Sequence, residues 1–138
     1  MTPSGDAVLV LDEHLTALQA PLQQRGIDAR RVHDFQATST LDPDVIRAVD
    51  QAMETPWVLV TMDGTIVDEH PNFEWVRYAI SWVVIEKHLK GIAVEHAKAE
   101  VLHRHAHRVV EQRPGDHFTY TRRSRFRLPP SLVSARSR

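Results

Sequence analysis

Apolar positions along this chain fall into short unbroken runs and into stripes at helical spacing, and two of the runs stop at acids. Ala7-Val8-Leu9-Val10-Leu11 is continuous, which predicts a strand covered on both faces, and it ends at Asp12-Glu13. Trp57-Val58-Leu59-Val60-Thr61 has the same character and is followed closely by Asp63, and Ala79 to Ile85 makes a further strand. Ile27 to Val32 reads as a less apolar one. Leu15, Leu18 and Leu22 recur at helical spacing up to Gly26, with Pro21 predicting a break or kink. Asp42-Pro43 has the form of an N-cap followed by proline at the first helical position, leading into Val45, Ile46, Val49 and Met53. A helical segment at Asn72 to Tyr78 precedes the Ala79 strand. A long helix from about Ala93 to Glu111 ends at Pro114-Gly115, and Phe118 to Leu128 alternates like an edge strand until Pro129-Pro130.

This order of strands and helices predicts an α/β fold, a three-layer α/β/α sandwich around a mainly parallel sheet. The 138 residues suit one domain spanning 1–138, and 42% hydrophobic with 25% charged residues is ordinary globular composition. The absence of cysteine excludes disulfides, thiolate zinc sites and cysteine nucleophiles, so any metal is held by oxygen or imidazole. The start Met1-Thr2-Pro3-Ser4-Gly5-Asp6 lacks a signal-peptide pattern, and no apolar run reaches the ~20 residues of a membrane span. The expected location is cytoplasmic, with no membrane partner.

Charge is divided unevenly. Residues 113–138 hold seven arginines against one acid, Asp116, a balance of +6 that leaves 10 basic and 17 acidic residues, or −7, in residues 1–112. An acidic body with an Arg-rich end suits a nucleic-acid enzyme, carboxylates taking a metal and Arg122, Arg123, Arg125 and Arg127 taking phosphates; a solvated basic tail is the competing reading.

The acids sharpen that picture. Ligands of parallel α/β sheets bind beyond the carboxyl ends of the strands, where Asp12 and Asp63 fall. A helix starting at the same edge brings Asp42 or Asp44 beside them, and such a cluster of hard oxygens suits Mg²⁺ or Mn²⁺ and the hydrolysis of phosphodiesters. Each acid also has a plainer use: Asp42 as a cap, Asp44 in the helix dipole, Asp63 in a turn before Gly64.

Four segments, Val8-Leu9-Val10-Leu11-Asp12-Glu13-His14-Leu15, Arg25-Gly26-Ile27-Asp28-Ala29, Asp42-Pro43-Asp44-Val45-Ile46 and Val58-Leu59-Val60-Thr61-Met62-Asp63, come in an order that resembles the small PIN-like domains related to VapC-type toxins. The resemblance covers roughly residues 7–70. It implies a metal-dependent ribonuclease, the toxin of a toxin–antitoxin pair, with Asp12, Asp42 or Asp44, and Asp63 binding Mg²⁺ or Mn²⁺. Asp68 or Glu13 is the candidate fourth acid, although Gly64-Thr65-Ile66 does not reproduce the family's spacing. RNA, an antitoxin protein and a second copy of the chain, as a homodimer, are the partners this reading allows.

Met62-Asp63-Gly64-Thr65-Ile66 also resembles the motif of haloacid-dehalogenase-type phosphatases, but Thr61 stands where their nucleophilic Asp belongs. A receiver-like phospho-acceptor domain competes better: Asp12-Glu13 matches its acidic pair and Asp63 its acceptor, with Lys87 nearest to its late lysine. A non-catalytic PIN-like module binding RNA or protein is the third class. On the long helix His96, Glu100, His103 and His107 share one face, open to zinc or to solvent.

Overall fold

A computed structural model describes residues 6–35, 41–85 and 94–127. Its centre is a six-stranded sheet built from β1 (Val8–Leu11), β2 (Ala29–Arg31), β3 (Trp57–Thr61), β4 (Ala79–Val83), β5 (His117–Tyr120) and β6 (Arg125–Phe126), in the order β2-β1-β3-β4-β5-β6. All neighbours are parallel except β5 and β6.

The unbroken apolar runs are explained by burial on both faces. Leu9, Leu11, Val58 and Val60 pack with Leu15, Leu18, Leu22, Val101 and Leu102 on one side. Val8, Val10, Leu59 and Ile80 pack with Val45, Ile46 and Val49 on the other. Helices therefore cover the sheet on both faces, as the expected sandwich requires. Each Leu, Ile or Val so buried contributes about 1.5–3 kcal/mol relative to exposure. Truncating Leu59, buried between β1 and β4, to alanine costs about 2–5 kcal/mol.

The first helical stretch is divided. Glu13–Leu18 is a 3-10 helix, and α1 (Gln19–Gln24) begins two residues before Pro21, so the break falls just ahead of the proline, which occupies the first turn where its missing N–H costs little. Gly26, at φ +82°, ends α1: its N–H bonds Gln23 O and that of Ile27 bonds Leu22 O, both at 3.0 Å, satisfying the last carbonyls of the helix. The Gln19 and Gln23 side chains both donate to Ala29 O at 3.1 Å, occupying an acceptor on edge strand β2.

Helix α2 (Pro43–Ala52) starts where Asp42-Pro43 predicts it, and Asp42 caps it. A short α3 (Ile66–Glu69) follows β3, a turn of helix that no apolar periodicity announces, and only Trp75–Arg77 of the expected 72–78 segment is helical, as a 3-10 turn. Helix α4 (Val94–Val109) is the long C-terminal helix. The single edge strand expected over Phe118 to Leu128 is two strands. Thr121 and Ser124 close a tight turn between them, Thr121 N–H to Ser124 O at 2.9 Å and Ser124 N–H to Thr121 Oγ1 at 3.1 Å. That turn reverses the chain, so β5 lies inside the sheet and β6 is the edge. No helix among the described residues is long and apolar enough to cross a membrane.

Candidate functional site

Strands β2 and β3 lie on opposite sides of β1, so chain direction across the sheet reverses there. A crevice opens at such a switch point beyond the carboxyl ends of the strands. The register pairs Leu11 with Val60, and Asp12 N–H continues the ladder to Val60 O at 3.0 Å. Asp12 and Thr61 consequently emerge side by side from neighbouring strands.

Asp12 is only 3% exposed, and both of its carboxylate oxygens accept hydrogen bonds. Oδ1 accepts the N–H of His14 at 3.0 Å, capping the 3-10 helix; Oδ2 accepts the Thr61 hydroxyl and the Met62 N–H, the latter at 3.2 Å. A buried carboxylate is tolerated only with such donors, and three of them fix its orientation. Asp63 is held through its backbone: its N–H donates to Thr61 Oγ1 at 3.0 Å and its carbonyl accepts Trp82 Nε1 at 3.0 Å. Its Oδ1 accepts the Thr65 N–H at 3.1 Å, and its Oδ2 takes no bond from the described residues.

The Thr65 hydroxyl lies 3.0 Å from Asp63 Oδ1 and 2.7 Å from Glu69 Oε1. Its one proton serves one carboxylate at a time, and the shorter distance favours Glu69. Glu69 is thereby drawn to the same crevice as Asp63. Sequence reading missed it and proposed Asp68 or Glu13 as the extra acid; Asp68 is absent from the crevice lining, whereas Glu13 borders it. The α3 turn, which sets which of Asp68 and Glu69 faces inward, was the signal lacking.

The crevice has a volume of about 610 Å³. Among the described residues Asp12, Glu13, Asp63 and Glu69 give its lining four acids, and Arg31 is the one strong base there. Arg31 is bound to Asp34, Nη2 to Oδ1 at 2.7 Å; that bond raises the guanidinium pKa and holds the Asp34 carboxyl below its ordinary range. His14 and His33 stand exposed at the mouth.

Asp42 and Asp44 lie elsewhere. Asp42 Oδ1 accepts Val45 N–H at 3.0 Å as the cap of α2. Asp44, its side chain 88% exposed, faces Arg47 at 3.6 Å, and Arg47 also binds Glu74 at 3.2 Å. Leu41 lines the crevice, so the start of α2 borders it, but neither aspartate does. Among the described residues no three His, Cys, Asp or Glu side chains come together as a ready-made metal-ligating group, and the three-carboxylate cluster expected from the sequence is not assembled there.

The arginines form a separate surface. Arg122 binds Glu100 at 2.8 Å, Arg125 and Arg127 lie over the Phe118 ring at 4.5 and 4.7 Å, and Arg123, Arg125 and Arg127 are all exposed. Strand β5 is three strand spacings from β1, on the order of 14 Å.

The histidine face of α4 does not converge either. His96 and His107 are exposed, Glu100 is taken by Arg122, and the half-buried His103 has an Nε2 without a partner among the described residues. Burial, helped by Arg25, lowers the His103 pKa. The buried imidazole is His105, 2.9 Å from Thr121 O, and its burial likewise lowers its pKa. No protein-family model, curated protein or solved structure matches the chain.

Proposed function

We propose that this chain is a PIN-like, divalent-metal-dependent ribonuclease that hydrolyses phosphodiester bonds in the crevice between the ends of β1 and β3. The observation that carries this reading is the pairing of Asp12 and Asp63 in one acidic crevice at the switch point of a parallel sheet. The resemblance of residues 7–70 to the small PIN-like domains supplies the reaction class.

The residues fit Mg²⁺ or Mn²⁺. Mg²⁺ keeps several of its waters and is commonly bound through one or two carboxylates together with substrate phosphates, so a larger protein cage is not required. Asp12 and Asp63 are the ligands of choice, and Glu69 lines the same crevice; the second oxygens of Asp63 and Glu69 carry no bond from the described residues. A bound cation supplies a more acidic water and neutralises phosphate charge. Thr61 and the Met62 N–H keep the Asp12 carboxylate from turning, and Thr65 holds Asp63 through its N–H and Glu69 through its hydroxyl. Arg123, with Arg122, Arg125 and Arg127, draws the RNA backbone along the far edge of the sheet. An antitoxin covering the crevice, or self-association, belongs to the same proposal.

The test is cleavage of an unstructured RNA. Activity that appears with Mn²⁺ or Mg²⁺ and vanishes with chelator supports the reading, and RNA binding with no metal-stimulated cleavage replaces it with the non-catalytic module. The strand order β2-β1-β3-β4-β5 favours one second reading, since receiver domains share that order and would use Asp63 as phospho-acceptor. Among the described residues no lysine ends β4 or β5, and Lys87 lies outside them. Labelling of Asp63 by acetyl phosphate would turn the assignment to the receiver class.

A further inference from the structure

One buried cation stands behind the crevice. Lys98, on α4, is 7% exposed, and its Nζ donates to His14 O and to Glu95 Oε1, each at 2.8 Å. It lies on the helix stripe that packs against the sheet, beside Ala97, Val101 and Leu102. An apolar side chain of similar length fills such a position at lower desolvation cost, and the exposed Glu95 offsets that cost only in part. What the lysine adds is its bond to a backbone carbonyl 84 residues away.

That carbonyl belongs to His14, whose N–H is capped by the Asp12 side chain. His14 is thus held from two sides, its N–H by Asp12 Oδ1 at 3.0 Å and its carbonyl by Lys98 Nζ. The clamp fixes the first turn after β1, which carries Glu13 and His14 into the crevice lining and keeps one of the three donors in place on the Asp12 carboxylate. The metal-site reading gives that donor its importance.

We infer that Lys98 is a positioning residue for the crevice: by anchoring the His14 peptide to α4 it holds the Asp12 carboxylate in the orientation that accepts a cation. The inference rests on the proposed metal site, and the two are separable by experiment. Lys98→Met keeps the apolar stem and removes the donors, and Lys98→Arg restores a donor. Amide hydrogen exchange reads the clamp and Mn²⁺ alone, titrated by calorimetry, reads its consequence. In Lys98→Met the His14 amide exchanges at least 10-fold faster than in wild type while amides of β3 and β4 are unchanged, Mn²⁺ affinity falls at least 5-fold, and Lys98→Arg recovers part of both. A His14 amide as protected in Lys98→Met as in wild type overturns the inference, as does unchanged Mn²⁺ affinity in a variant whose His14 amide has loosened. Wild-type protein that takes up no Mn²⁺ removes the metal site instead, and the clamp is then supported or overturned by His14 exchange alone.

Discussion

Thr61 donates its hydroxyl to the carboxylate of Asp12 across the junction of two parallel strands, joining residues 49 positions apart at the floor of the crevice. The same oxygen accepts the N–H of Asp63, so one side chain orients both acids. Thr61→Val keeps the shape and removes both bonds, leaving a buried carboxylate short of one donor. The expected cost is about 1–3 kcal/mol in urea unfolding, with a fall in Mn²⁺ affinity. A variant as stable as wild type would mean that Asp12 finds another donor.

The two aspartates at the start of α2 should separate. Asp42→Ala removes an N-cap and should lower stability by about 1 kcal/mol. Asp44→Asn touches only an exposed ion pair and should stay within roughly 0.5 kcal/mol of wild type, with Mn²⁺ affinity unchanged. Metal affinity lost in Asp44→Asn would bring that acid back into the site.

Acid should weaken the fold through the helix α4 histidines before it weakens the carboxylate pairs. Burial above all, with the positive charges of Arg108 and Arg104 and the His107 ring, disfavours the protonated form of His105, whose ring is hydrogen-bonded to Thr121 O. Its folded pKa lies below the ordinary 6.5, so the neutral ring is favoured on folding; that stability is complete above pH 6.5 and is lost as pH falls through the folded value. His103 shifts the same way, whereas the lowered pKa values of Asp34 and Glu74 act below their ordinary 3.8 and 4.5. Urea unfolding from pH 8 to pH 5 should show a loss for wild type that is smaller for His105→Gln, whose amide keeps a donor for Thr121. Equal losses would clear His105.

The strand runs, the cap of α2 and the positions of Asp12 and Asp63 just beyond β1 and β3 were legible in the sequence because local chemistry decides them. Val8 to Leu11 and Trp57 to Thr61 are apolar throughout because both faces are covered, and Asp42-Pro43 encodes its own helix start. Contacts between distant segments were not legible. Lys98 and His105 are polar residues on the buried stripe of α4, an arrangement that hydropathy alone assigns to the wrong face. The turn that splits β5 from β6 rests on the Thr121 and Ser124 bonds, which the alternating pattern hides. Glu69 reaches the crevice only through α3 and the Thr65 hydroxyl.

RNA affinity should depend on salt through the arginine edge. Arg123 is exposed, so Arg123→Ala should leave stability unchanged and reduce the slope of log affinity against log salt by about 0.7 for one lost single-strand phosphate contact. Arg122→Ala also frees Glu100 and should lower stability slightly. A slope unchanged in both variants would move RNA binding away from this edge.

The proposed site works through Asp12 and Asp63 as a pair. It is tested most directly by Mn²⁺-dependent cleavage of one RNA by wild type, Asp12→Asn, Asp63→Asn and Asp44→Asn, each shown to be folded. Each of the first two variants is expected to lose about 100-fold or more, about 3 kcal/mol of transition-state stabilisation, while Asp44→Asn cleaves at near the wild-type rate. Cleavage by Asp12→Asn at the wild-type rate would contradict it.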